Sequence, residues 1–168
     1  QKFAAINLSS VLKPENITSN SSITASRQKI RNVEAIINER QIALQRYLKD
    51  CAEYFRTVDI DESTRRETIK SFEAGIAHTL NAYDELRTTQ LESLKSVVEM
   101  LDFAEKNLGR TSVKNGQITF ETQTQWDQYL SILANIQQEA QREEAVNIKM
   151  IELQKTSRNS ILDEYNKN

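Results

Sequence analysis

The stretch IRNVEAIINERQIALQRYLKDCAEYF, residues 30–55, decides the fold. Its apolar side chains recur at spacings of 3, 4, 7, 4, 3 and 4, at Ile30, Val33, Ile37, Leu44, Leu48, Cys51 and Phe55. Such spacings place side chains on one face of an α-helix, and charged residues occupy the opposite face. The pattern therefore predicts an amphipathic helix over about residues 24–57, with one core position skipped near residues 40–41.

Two longer helices are expected after it, at about residues 63–108 and 123–165, because apolar side chains follow helical stripes there too. The links between helices are short, which is typical of antiparallel neighbours. We therefore predict an all-α fold, an elongated antiparallel three-helix bundle over residues 23–168. Residues 1–22, with one proline and a run of Ser, Thr and Asn, are expected to form an N-terminal arm and linker.

Helix starts have recognisable signals. Asp61 can cap the second long helix, or Thr64 can do so in a capping box with Glu67. Thr122 and Gln125 have capping-box spacing before the third long helix.

A small β-hairpin is predicted at about residues 111–120, between the second and third long helices. Asn115-Gly116 lies between short alternating flanks, and both residues tolerate the positive φ that a type I′ turn requires. Gly109 is expected to end the preceding helix as a C-cap.

The unequal lengths of the predicted helices point to an exposed region. The second and third helices would be about 65–70 Å long and the first about 50 Å, so the first should not reach the hairpin. This end would stay partly bare unless residues 1–12, a second chain or a partner covers it. Its candidate protein-binding residues are Ile118, Phe120, Trp126 and Tyr129.

Composition argues against several classes of protein. The net charge is −2, and the 22 basic and 24 acidic residues are spread evenly, so no basic patch for nucleic acid is visible. No stretch approaches the roughly 20 apolar residues of a membrane span. Cys51 is the single cysteine, which excludes an intrachain disulfide, and we expect it to be a small buried apolar residue.

No catalytic, cofactor or metal site is expected, and the chain is interpreted as a non-enzyme. The three glycines are isolated, so there is no phosphate-binding loop, and Gly75 within a helix suggests close approach of another helix or a slight bend. His78 is the single histidine, and Glu143-Glu144 is typical of a solvated helix face. The aromatic residues near Trp126 could line a pocket, but at helical spacing they are more often core.

Residues 115–120, followed by a polar cap, Trp126, Tyr129 and a long helix, resemble a pattern in uncharacterised bacterial envelope lipoproteins. In those helical proteins a Gly-containing turn and an Ile-x-Phe strand precede the final helix. The resemblance covers roughly 25 residues and implies a location in the cell envelope or periplasm, with no activity. The lipid-bearing cysteine of those proteins is absent here, so a lipid anchor is expected only if such a cysteine precedes Gln1.

Three functional hypotheses follow. The first is a non-enzymatic interaction or scaffold protein of the bacterial cell envelope, which binds a protein partner or itself through the hairpin end. The second is a secreted virulence or phage-type factor that docks on a host protein. The third is a binder of a small ligand or lipid, which would require an apolar cavity of several hundred Å³ between helices.

Overall fold

A computed structural model describes the backbone of residues 8–165 and the side chains of residues 10–77 and 79–156. These residues form the predicted all-α, bundle-like fold with a small hairpin before the last helix. In chain order the elements are α1 (Leu8–Val11), a 3-10 helix (Pro14–Asn16), α2 (Asn20–Thr57), α3 (Glu62–Lys106), β1 (Thr111–Lys114), β2 (Gln117–Phe120) and α4 (Gln123–Tyr165).

Helix α2 begins four residues earlier than predicted. The hydroxyl of Ser19 accepts a hydrogen bond from the backbone N–H of Ser22 at 3.2 Å, so Ser19 acts as the N-cap. Residues 20–22, expected to belong to a linker, therefore form the first turn of the helix. Residues 1–7 of the predicted arm lie outside the described residues.

The described chain divides into two compact units, and each is built from segments of all three long helices. The hairpin unit contains residues 8–36 and 90–142, and the link unit contains residues 37–89 and 143–165. Within the hairpin unit, Arg27 of α2 forms ion pairs with Asp102 and Glu105 of α3 at 2.6 and 2.8 Å. The hydrogen bond to Asp102 is the main reason that the pKa of Arg27 is raised.

The hairpin unit has an apolar core. Helix α3 supplies half of its buried apolar residues, with Val97, Met100 and Leu101 completely shielded from solvent. The buried residues contributed by the other segments are Val11, Ile17, Ile23, Ile30, Val33 and Ile118. The predicted helical stripe of residues 30–33 therefore faces the core, as expected for an amphipathic helix.

The predicted hairpin turn and the predicted helix cap of the hairpin unit are both confirmed. Asn115 and Gly116 have φ values of 52° and 77°, as a type I′ turn requires. The N–H of Gln125 bonds to the hydroxyl of Thr122 at 3.3 Å, and the N–H of Thr122 bonds back to Oε1 of Gln125 at 3.1 Å. This reciprocal pair is the predicted capping box.

Among the described side chains, the link unit has fewer buried residues than the hairpin unit. Its buried cluster consists of Ala82 and Leu86 of α3 with Val146 and Met150 of α4. Cys51, predicted to be buried, is only half-buried. The expected close approach of a helix at Gly75 is also wrong, because a Cβ atom added there would meet nothing within 4 Å.

Asp61 is the cap of α3, and the alternative capping box at Thr64 is wrong because the helix begins at Glu62. The carboxylate accepts hydrogen bonds from the hydroxyls of Ser63 and Thr64 and from their backbone N–H groups at 3.1 and 3.0 Å. The hydroxyl of Ser63, followed by that of Thr64, lowers the pKa of Asp61 far below its usual range.

This cap is expected to make the stability of the protein depend on pH. A carboxylate with a lowered folded-state pKa stabilises the fold above its unfolded pKa of about 3.9 and loses that effect as the pH falls. The melting temperature of the wild type should be higher than that of Asp61→Asn at pH 6. The difference between the two melting temperatures should shrink as the pH falls below about 5. Thermal unfolding of both proteins at pH 6 and pH 3 measures it, and a gap that widens in acid would contradict the assignment.

Candidate protein-binding surface at the hairpin

Four aromatic rings from three elements meet at the hairpin. Phe120 of β2 lies 5.7 Å from Phe103 of α3, 5.9 Å from Trp126 and 5.2 Å from Tyr129, both of α4 (ring centroids). Tyr129 also lies 6.5 Å from Phe103 and 5.9 Å from Trp126. Tilted ring contacts at these distances contribute favourable energy in addition to that from burying apolar area, so they stabilise the positions of the four rings.

The cluster is buried at one side and exposed at the other. Phe103 is buried, Phe120 and Tyr129 are half-buried, and Trp126 is 39% exposed. Loss of hydration at the half-buried phenol raises the pKa of Tyr129. The indole of Trp126 is thus held against fixed rings and still faces solvent.

The exposed side continues along α4. Leu130, one turn after Trp126, is 44% exposed, and Leu133 on the next turn is half-buried. These three residues lie at positions i, i+4 and i+7, so they share one face of the helix. We call Trp126, Leu130 and Leu133 the Trp126 surface.

Polar contacts fix the start of α4 on the end of α3. The side-chain amide of Gln125 donates to Oδ1 of Asn107 at 2.8 Å, and the amide of Asn107 donates to the carbonyl of Phe103 at 2.8 Å. Gln125 is also half of the capping box described above. The first turn of α4, which carries Trp126, is therefore held in place from both sides.

The four predicted site residues are brought together, but they do not play equal parts. Ile118 is buried and lines the same small space as Phe120 and Tyr129, which present only part of their surface. The space next to them, lined also by Ile17 and Thr18, has a volume of about 10 Å³. That is room for at most one water molecule, so the rings do not line a ligand pocket.

The segments that pack at the hairpin end differ from those predicted. Helix α2 reaches the last turns of α3 through Arg27, and Ile17 and Thr18 before it line the same small space as Phe120. The expectation that the first long helix falls short is therefore wrong: Arg27, which lies within the predicted helix, pairs with the last turns of α3, and the segment before α2 packs beside Phe120. The expected exposure of Trp126 is confirmed.

The described part of the chain has neither a cluster of metal ligands nor a membrane-spanning helix. Its side chains include no group of three or more His, Cys, Asp or Glu residues able to hold a metal ion. Residues 8–165 also contain no helix with the length and apolar character of a membrane span. The side chain of His78 lies outside the described residues.

Comparison of the chain with protein-family models, with curated proteins and with solved structures finds no match.

Proposed function

We propose that this protein is a non-enzymatic helical interaction protein that binds another protein through the Trp126 surface. The observation that carries the proposal is the exposure of Trp126 and Leu130, at 39% and 44%, on a rigid aromatic cluster. The resemblance of residues 115–129 to envelope lipoproteins favours a place in the bacterial cell envelope.

Burial of the exposed apolar side chains of the Trp126 surface against a partner would be energetically favourable. Trp and Tyr are enriched among the residues that dominate binding energy in interfaces, and scattered single exposed apolar residues are ordinary. Here a Trp and a Leu are exposed on adjacent turns and flanked by the half-buried Tyr129. Because the rings already hold the indole, binding would cost little additional side-chain entropy.

The spacing of the surface favours a helical partner segment. Apolar side chains at i, i+4 and i+7 are the pattern by which one amphipathic helix packs against another. We therefore infer that the partner presents an apolar helix face of similar length to α4 residues 126–133. A second copy of this chain is the competing occupant, and the test below separates the two.

The test is quantitative affinity capture with matched variants. Leu130→Asp places a charge on the surface without removing a ring, and Trp126→Ala removes the central side chain. Both are expected to weaken capture of the partner at least tenfold, in line with the loss of a central interface residue. Ile148→Ala, also on α4 and at a 52% exposed position, should leave capture unchanged.

Circular dichroism of each variant should first show wild-type helix content. Analytical ultracentrifugation then distinguishes self-association, which Leu130→Asp should abolish, from binding to a different protein. If folded Leu130→Asp and Trp126→Ala keep every captured protein and the same oligomeric state as the wild type, the Trp126 surface is not an interface.

A further inference from the structure

The link unit contains an apolar cavity of about 510 Å³ between α3 and α4. Its floor includes Ala82 and Met150, which are buried, and its wall includes Tyr83, which is half-buried. Gly75 and Leu153 lie at its rim and are exposed, so the cavity opens to solvent there. The volume falls within the range of about 300–1,000 Å³ that is typical of small-molecule sites.

The cavity arises from small side chains. Gly75, Thr79 and Ala82 lie at i, i+4 and i+7, so they share the face of α3 that is turned toward α4. One turn after Ala82, the larger Leu86 packs in the buried cluster with Val146 and closes the space between the helices. The gap therefore begins where the side chains of α3 become small, and a Cβ built on Gly75 would meet no described atom of a neighbouring helix within 4 Å.

The lining defines the class of ligand. Among the described lining residues, the floor and walls are mostly carbon, and the polar groups are the neutral side chains of Thr79, Tyr83, Gln154 and Thr156. A charged group placed against the buried residues Ala82 and Met150 would lose hydration without a compensating charge from the described lining, which is unfavourable. The lining stretch from Gly75 to Ala82 extends for about 10 Å along the helix. A narrow, uncharged and mainly aliphatic molecule matches these constraints.

We propose that this cavity is a binding site for a single aliphatic chain with a neutral hydrogen-bonding end. The chain lies between the small residues of α3 and the side chains of Met150 and Leu153. Its polar end meets the side-chain amide of Gln154 at the rim, since the hydroxyls of Thr79 and Thr156 already donate to the carbonyls of Gly75 and Glu152. This activity is separate from the protein-binding function proposed above, because it uses none of the residues of the Trp126 surface.

The two methionines of the chain provide a direct test. Met150 contacts the cavity, whereas Met100 is completely buried in the hairpin unit and serves as an internal control. Protein labelled with ¹³C at the methionine methyl groups is titrated with 1-octanol, and Met150→Leu assigns the two signals. We expect the Met150 signal to shift with saturation and the Met100 signal to stay in place.

Variants at the rim make the test specific. Gly75→Leu places a larger side chain at an open position of the lining and should weaken 1-octanol binding at least tenfold. Thr79→Leu is a second, independent way to fill the space. Gly75→Ala is the matched control, because it adds one methyl group and should retain binding. The proposal would be overturned if the Met150 signal of the wild type does not shift with 1-octanol. It would also be overturned if that signal shifts as much in Gly75→Leu and Thr79→Leu as in the wild type.

Discussion

Replacing Leu101 with alanine is expected to lower the free energy of unfolding by about 3 kcal/mol or more. Leu101 is completely buried in α3, next to Met100, which is equally shielded. Truncation removes apolar contacts and leaves a cavity that the surrounding helices fill only in part, and both effects destabilise the fold. Urea unfolding followed by circular dichroism and by the fluorescence of Trp126 measures the loss.

Leu130→Ala is the matched control for this prediction. It removes the same atoms from a helical residue of the same unit, but Leu130 is 44% exposed. Its cost should stay below about 1 kcal/mol, since little burial is lost and alanine is a good helix former. Equal destabilisation by the two substitutions would mean that α3 does not supply the centre of the hairpin unit.

The parts of the fold that could be predicted are those with local causes. Helical periodicity, the capping pair of Thr122 and Gln125, and the positive φ values of Asn115 and Gly116 depend on residues close in sequence. Each of these signals has a single favourable local solution. The number of long helices and the position of the hairpin follow from them.

The parts that could not be predicted depend on contacts between distant residues. Arg27 meets Asp102 and Glu105, which are 75 and 78 residues away in sequence. Nothing in the local pattern around Arg27 specifies that pairing. The apolar stripe of the first helix also does not show where that helix begins, because its cap, Ser19, is polar and lies before the stripe. The prediction that this helix stops short of the hairpin is wrong because it rests on helix lengths, which do not show that Arg27 packs on the last turns of α3.

The candidate surface was predicted as a group but not residue by residue. Periodicity indicates that an apolar side chain lies near a core, and it does not say how much of that side chain stays exposed. Periodicity therefore does not distinguish Trp126 from Ile118, although Trp126 is 39% exposed and Ile118 is 9% exposed. For the cavity, the small residues at 75, 79 and 82 were a usable signal, but the sequence does not show whether the facing helix fills the space.

The contrast between Ile118 and Val113 gives the second prediction with a large effect. The two residues are directly paired across the hairpin and share one face of it. Ile118 is buried against the aromatic cluster, whereas Val113 is 42% exposed. Ile118→Asp should therefore destabilise the hairpin unit by about 3–5 kcal/mol, because it removes apolar burial and places a carboxylate in an apolar environment. Val113→Asp should cost less than about 1 kcal/mol.

The pH dependence of these variants separates charge from lost packing. Burial raises the pKa of an introduced carboxylate above its unfolded value of about 3.9, so the extra cost is present above the raised pKa and disappears as the pH falls below the unfolded value. Urea unfolding monitored by Trp126 fluorescence at pH 7 and pH 4 should show partial recovery of Ile118→Asp relative to Ile118→Ala. If Ile118→Asp and Val113→Asp unfold at the same urea concentration at pH 7, Ile118 does not anchor the hairpin. A large cost also means that Ile118→Asp damages the fold itself, so Leu130→Asp is the variant that tests binding.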